Sequence, residues 1–227
     1  QDGIRDRSPS RGLGDVYKRQ VVAVYTRPDM SQGRGQKRKP SEVYKFAKEC
    51  GLQILQPDSL QEPEVRPGFV SLRPDVVVVA AYGKIIPPNL LSVPHAGFIN
   101  VHPSRLPQYR GPSPVATAIL DGQKETGVSI IQMDDGVDSG PILIQRNLRI
   151  KSNETADCLS LRLFSLGGRI LSEILPQVYI GAIVGEAQQR SAVTYTKKLT
   201  KKEGEVEWNL PAEKLDRCRR AFTPWPG

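Results

Sequence analysis

The sequence predicts an α/β protein built on a doubly wound, mostly parallel sheet, and three observations predict it. Short, continuous apolar runs alternate with segments whose apolar residues recur at three- and four-residue spacing, the pattern of strands covered by helices. Residues 76–81 are almost entirely valine and alanine, as in a parallel strand buried on both faces. Residues 97–102 read as a strand and are followed by a Pro- and Gly-rich stretch, 103–111. Open α/β sheets bind their ligands at such a carboxyl edge.

Taken in order, residues 1–20 carry Arg, Asp, Ser and Gly with almost no apolar periodicity, and are expected to be non-native or disordered. Residues 21–26 form a continuous apolar strand. Residues 41–50 predict a helix with Ser41 as N-cap, Gly51 just past its end, and Val43, Phe46, Ala47 and Cys50 on its buried face. Residues 52–56, 76–81 and 98–102 are further buried strands. Residues 114–120 read as a helix stopped at Gly122, and 128–133 and 142–150 as two strands able to pair antiparallel around an acidic loop. Thr155 caps a long helix striped by Leu159, Leu163, Leu166, Ile170 and Ile174. The expected layout is a main domain over 21–180, a polar linker over 181–202, and the start of a small second domain over 203–227. Within that start, residues 209–222 read as an amphipathic helix with Leu215, Cys218 and Phe222 on one side.

The chain has 227 residues and a formal charge of +8. That charge suits a polyanionic partner, although a basic run is as often a solvated face. Arg27, Arg34, Lys37, Arg38 and Lys39 crowd into residues 27–39 against the single acid Asp29. Gly33-Arg34-Gly35 is not a phosphate loop, because no Gly-Lys-Ser/Thr follows. With no run of 18 apolar residues and no signal segment, the expectation is a cytoplasmic protein without a membrane span. Cys50, Cys158 and Cys218 are too scattered for a disulfide framework or a metal site and are expected to be buried thiols on helix faces.

Asn100-Val101-His102 carries the chemistry. Alternate strand residues share a face, so an amide donor and an imidazole project together from the strand end. A carboxylate is available downstream in Asp134-Asp135-Gly136-Val137-Asp138-Ser139-Gly140. Each has a plainer reading: a histidine after a buried strand is often structural, and Asp-Asp-Gly between strands is often a hairpin turn. His95 lies in a Pro-His-Ala-Gly turn and is expected to be idle.

These motifs, in this order, resemble the folate-dependent formyltransferases. The resemblance runs from about Val21 to Gly227. It is carried by Thr26-Arg27-Pro28-Asp29, Gly33-Arg34-Gly35-Gln36-Lys37, Ala81-Tyr82-Gly83, Asn100-Val101-His102-Pro103-Ser104, Leu106-Pro107, Tyr109-Arg110-Gly111 and Gly136-Val137-Asp138-Ser139-Gly140, with Thr194-Tyr195 and 220–227 at the carboxyl end.

The resemblance implies a Rossmann-like formyltransferase domain followed by the start of an OB-like β-barrel. It also implies a chain that lacks the family's first strand, with its Gly-Thr-Pro turn, and most of the second domain. The implied reaction moves a formyl group from 10-formyltetrahydrofolate, without a metal, to an amine. The basic loop narrows that amine to the α-amino group of initiator methionyl-tRNA, and a monomer is expected. Asn100, His102 and Asp138 would be catalytic. Folate would lie along Ser104, Arg105, Leu106 and Pro107, with its pterin near Ala81, Tyr82, Gly83, Met133, Asp134, Gly136 and Val137. Arg105 departs from the family's usual Leu and would either assist the anionic folate tail or face solvent. Arg34, Lys37, Arg38 and Lys39 would reach tRNA. Two other readings stay open: a relative acting on an aminosugar nucleotide or glycinamide ribonucleotide, and a fragment that binds without catalysis or is weakly active.

Overall fold

The computed structural model describes residues 19–32 and 37–227. The expectation for residues 1–20 therefore lies outside the described residues up to residue 18, as does the one for Arg34. The chain divides into two compact units after Pro57.

In the first unit, β1 (Val24–Tyr25) pairs parallel with β4 (Ile54–Leu55), and β2 (Met30–Gln32) pairs antiparallel with β3 (Lys37–Lys39). Helix α1 (Glu42–Glu49) stands between β3 and β4 in sequence. Its cap is the predicted one, since Ser41 Oγ accepts from Tyr44 N at 3.1 Å and Gly51 adopts a left-handed φ of 66°. Its predicted buried face is corrected. Ala47 is buried, but Val43, Phe46 and Cys50 are exposed. Among the described residues of this unit, α1 packs on the short strand β4, and of its predicted face only Ala47 is buried. β1 is also shorter than the expected 21–26, and Val21 and Val22 are exposed.

The second unit contains α2 (Val65–Ser71), β5 (Val77–Val79), α3 (Pro88–Leu91), β6 (Phe98–His102), α4 (Pro114–Leu120), β7 (Glu125–Gln132), β8 (Ile142–Arg149), α5 (Ala156–Tyr179) and α6 (Ala212–Ala221). Its sheet runs β5-β6-β7-β8, with β5 parallel to β6 and the next two pairs antiparallel. The strands at 98–102, 128–133 and 142–150 and the helix at 114–120 stand where the sequence predicts them, with β7 starting three residues early.

Helix α2 is not marked by the sequence pattern. Pro67 and Gly68 read as breakers, but Pro67 falls in the first turn, where its missing N–H leaves no bond unmade. Phe69 of α2 stacks on Phe98 of β6 with ring centroids 5.8 Å apart.

The core lies between α5 and the sheet. Leu159, Leu163, Ile170 and Ile174 of the predicted stripe are buried against Val101, Val128 and Ile130, while Leu166 is only partly buried. Gly167 sets the closest approach. A Cβ built there would meet Val101 Cγ1 at 2.5 Å and Val128 Cγ2 at 3.0 Å. Helix α6 begins at Ala212 rather than at residue 209 because Pro211 occupies its cap, and it packs on α4 through Ala221. Cys158 is exposed and Cys218 half-buried, so neither is the fully buried thiol expected, and the same correction applies to Cys50. Among the described residues, no helix is long and apolar enough to cross a membrane.

The segment 181–202 is irregular, as predicted, but it does not run free. Ile142 and Glu186 exchange both main-chain hydrogen bonds, at 2.8 and 2.9 Å. Arg110 N donates to Thr194 O at 2.9 Å, and Thr196 N donates to Arg110 O at 2.7 Å. The segment is thereby tied to the start of β8 at Glu186 and laid along the loop that follows β6 at residues 194–196.

Candidate active site

Strand β6 ends in Asn100 and His102, both buried and, two residues apart, on one face. The loop between β7 and β8 brings Asp138 to them. Its Oδ1 accepts from Asn100 Nδ2 at 3.2 Å and lies 3.5 Å from His102 Nδ1, while its Oδ2 accepts from Gly111 N at 2.8 Å. The other imidazole nitrogen, Nε2, is 3.0 Å from the Tyr109 carbonyl. The three residues singled out as amide, imidazole and carboxylate therefore converge on one carboxylate oxygen.

Burial pushes the His102 imidazole below its ordinary value near 6.5. The Asp138 charge and the Tyr109 carbonyl pull it back up, but by less. Asp138 favours the charged ring, yet desolvation outweighs it, and the neutral ring is favoured at neutral pH. With an oxygen against each ring nitrogen, the protonated ring could donate to both, so neither charge state is foreign to the site.

Asp138 reaches this position through an unusual backbone, with φ at +48°. A non-glycine residue in that region carries about 1–3 kcal/mol of strain, and Asp tolerates it better than most. The acidic loop closes partly on itself, as a turn should: Asp134 Oδ1 accepts from Gly136 N at 3.1 Å and from Ser139 Oγ at 2.7 Å. A Cβ on Gly136 would collide with Ser139 Oγ, and one on Gly140 with the Gln132 carbonyl.

The remaining residues expected at the site are more dispersed. Ser104 and Leu106 are buried and turned into the fold. Ser104 Oγ donates to Gln108 O at 2.7 Å, and Leu106 N donates to Ser129 Oγ at 3.1 Å. Pro107 is half-buried, and its carbonyl accepts from Thr194 N at 3.3 Å. Arg105 is exposed and lines a cavity of about 520 Å³ with Gln108, Tyr109, Gln123, Lys124 and Thr126. Beyond β5, Ala81 and Gly83 adopt left-handed φ values of 47° and 73° and are exposed, with Tyr82 half-buried between them. Val137 is exposed, and Met133 N is bound to Phe98 O at 2.8 Å. In the first unit Arg38 and Lys39 are exposed on β3, and Lys37 begins that strand.

Sequence reasoning misses two residues next to Asp138. Gln188 Nε2 donates to the carbonyls of Asp138 and Gly140 at 2.8 and 2.7 Å. Its Oε1 accepts from Arg110 Nε and Nη2 at 3.1 and 2.7 Å. No sequence signal marks Gln188, which stands in a polar stretch with no periodicity. Arg110 could have been questioned, because a cation in a Pro/Gly-rich loop beside a strand end has few places to go.

The profile described as Formyl transferase matches residues 13–175, and the one described as Formyl transferase, C-terminal domain, matches residues 198–227. The chain is 41% identical over 207 residues to a methionyl-tRNA formyltransferase of Marinobacter nauticus, spanning 91% of this chain and 67% of that one. It is 44% identical over 208 residues to a methionyl-tRNA formyltransferase of a Roseiflexus species, spanning 92% of this chain and 64% of that one. The chain thus spans about two thirds of the length of these relatives. Among solved structures, an N-formyltransferase from Helicobacter canadensis in complex with folinic acid and dTDP-3-aminofucose superposes with a TM-score of 0.64 at 18% identity. That superposition covers 87% of this chain and 68% of that one, and at such identity it speaks for the fold alone. By the extent of the profile match and the identity of its relatives, this chain belongs to the formyl transferase family.

Proposed function

We propose that this chain carries the catalytic domain of an enzyme that transfers a formyl group from 10-formyltetrahydrofolate to the α-amino group of methionyl-tRNA, in the service of translation initiation. The observation that carries this reading is the convergence of Asn100 and His102 on the Asp138 carboxylate at the end of β6, in a chain 41–45% identical to methionyl-tRNA formyltransferases.

The residue chemistry fits a formyl-bearing co-substrate. Transfer to an amine develops negative charge on one oxygen and leaves a surplus proton on nitrogen. Asn100 commits one amide N–H to Asp138 and keeps a second for the oxygen. Donors of this kind are worth about 3 to 4 kcal/mol in the barrier. His102, held neutral by burial with Nδ1–H toward Asp138, takes the proton from the attacking amine at Nε2 once that nitrogen parts from the Tyr109 carbonyl, and returns it to the departing nitrogen. Such general acid-base help is worth about 10² to 10⁴ in rate. Asp138 holds the ring in place and stabilises its charged form. 10-Formyltetrahydrofolate supplies the activated one-carbon group.

The exposed main chain at 81–83 and the acidic loop at 133–137 would hold the pterin. Ser104 and Leu106 would contribute as supports of the loop wall rather than by touching folate, since their side chains are buried. Arg34, Lys37, Arg38 and Lys39 would meet tRNA phosphates, giving an affinity that falls with salt as counterions are released.

The test is a single-turnover assay with the chain in excess, offering methionyl-tRNA, an aminosugar nucleotide and glycinamide ribonucleotide against 10-formyltetrahydrofolate. Formylation of methionyl-tRNA that is abolished in His102→Ala is the expected result. Turnover of a small amine alone would overturn the choice of acceptor.

A further inference from the structure

We propose that Gln188, acting with Arg110, is a positioning residue that holds Asp138 in the backbone conformation from which its carboxylate faces His102 and Asn100. This rests on the catalytic reading of those three residues.

The Gln188 amide is fully committed. Both of its protons go to the Asp138 and Gly140 carbonyls, and its oxygen receives two bonds from one guanidinium. An amide satisfied on both ends has a single orientation, because a flip would set donors against donors. Arg110 enforces that orientation. It is buried, lies 6.0 Å from the Tyr195 ring centroid, and among the described residues has no carboxylate within ion-pair distance. A buried cation set against a neutral amide is a costly arrangement for stability alone.

What the arrangement does is grip Asp138 from two sides. Arg110 reaches its main-chain carbonyl through Gln188, while the next residue, Gly111, donates to its carboxylate at 2.8 Å. Both grips fall on the residue whose backbone carries the strained φ of +48°. Releasing the carbonyl lets Asp138 relax toward an ordinary backbone region and swings the carboxylate away from β6.

Two substitutions separate positioning from simple anchoring. Gln188→Met keeps the length and loses every hydrogen bond. Gln188→Glu keeps a partner for Arg110 but has no N–H for the two carbonyls. The chain contains two histidines, so the His102 imidazole titration is readily resolved by nuclear magnetic resonance. In Gln188→Met, His102 is expected to titrate lower than in the parent, since Asp138 no longer raises it. In both variants the Gly111 amide exchanges faster. Where formylation is measured, kcat falls about 10- to 100-fold, as expected of a small misplacement, with KM for the formyl donor changed by no more than about 2-fold.

A folded Gln188→Glu with parental Gly111 exchange and kcat would overturn the proposal, because an ion pair between Arg110 and the introduced carboxylate would then have sufficed. Should the parent chain turn over a small amine and not methionyl-tRNA, the choice of acceptor fails. The Gly111 and His102 measurements still decide the role of Gln188.

Discussion

The Ser129 hydroxyl donates to the Ser104 carbonyl at 2.7 Å, tying the middle of β7 to the first turn of the loop that leaves His102. The same oxygen accepts from Leu106 N at 3.1 Å and from Gln145 Nε2 at 2.8 Å. One fully buried hydroxyl therefore satisfies three groups and fixes where the loop goes. Ser129→Ala is expected to destabilise the protein by about 1–3 kcal/mol, because it leaves buried partners unsatisfied. The shift of a urea unfolding midpoint measures it, and an unchanged midpoint would show that water replaces the hydroxyl.

Gly167→Ala sets two effects against each other. Alanine is the better helix former by about 1 kcal/mol. The added methyl, however, would lie 2.5 Å from Val101 and 3.0 Å from Val128, and overpacking costs about 1–3 kcal/mol. The net expectation is a loss of stability, read as a lower thermal midpoint. A gain would mean that α5 can lift from the sheet at little cost.

His102 titrates lower folded than unfolded, so the unfolded chain binds more protons between the two values. Its contribution to stability is therefore present above about pH 6.5 and is lost as pH falls through the folded value. Replacing it by Gln should flatten that part of the stability-pH curve above the range where carboxylates titrate. Equal slopes in parent and variant, from denaturant midpoints at several pH values, would contradict the burial argument.

Asp138→Asn keeps the shape and removes the charge that raises His102. On the proposed mechanism the acid limb of the pH-rate profile moves to lower pH, and kcat falls by about 10² to 10⁴. An unmoved limb would place the titrating base elsewhere.

Much of this is legible in the sequence because strand and helix signals are local. β6 and α4 end where their sequences say, and α5 buries most of its predicted stripe. Asn100, His102 and Asp138 can be named because two share a strand face and the third stands in a motif. Arg110 and Gln188 cannot be paired that way, since the bond between them spans 78 residues and leaves no periodicity. The exposed face of α1 misleads for a related reason. An apolar stripe states that a helix can be covered, and says nothing of whether the described neighbours reach it.

Arg38→Ala with Lys39→Ala tests the basic strand. If these side chains meet phosphates, methionyl-tRNA binding should weaken, and the slope of log affinity against log salt should shrink by roughly 0.7 to 0.9 for each phosphate no longer neutralised. Weaker binding at an unchanged slope would indicate damage to the hairpin rather than removal of phosphate partners.

The tie between Gln188 and Asp138 also imposes an order of events during synthesis. β6, with Asn100 and His102, can be complete long before residue 188 is made, and the acidic loop follows it. Until the chain has grown past Gln188, the Asp138 carbonyl lacks that amide, and the carboxylate is held only by Gly111 and Asn100. A nascent chain halted at about residue 185 would thus possess Asn100, His102 and Asp138, yet hold the last of them by fewer bonds. On the proposed mechanism, full rate would come only once a polar stretch with no assigned chemistry of its own has folded back.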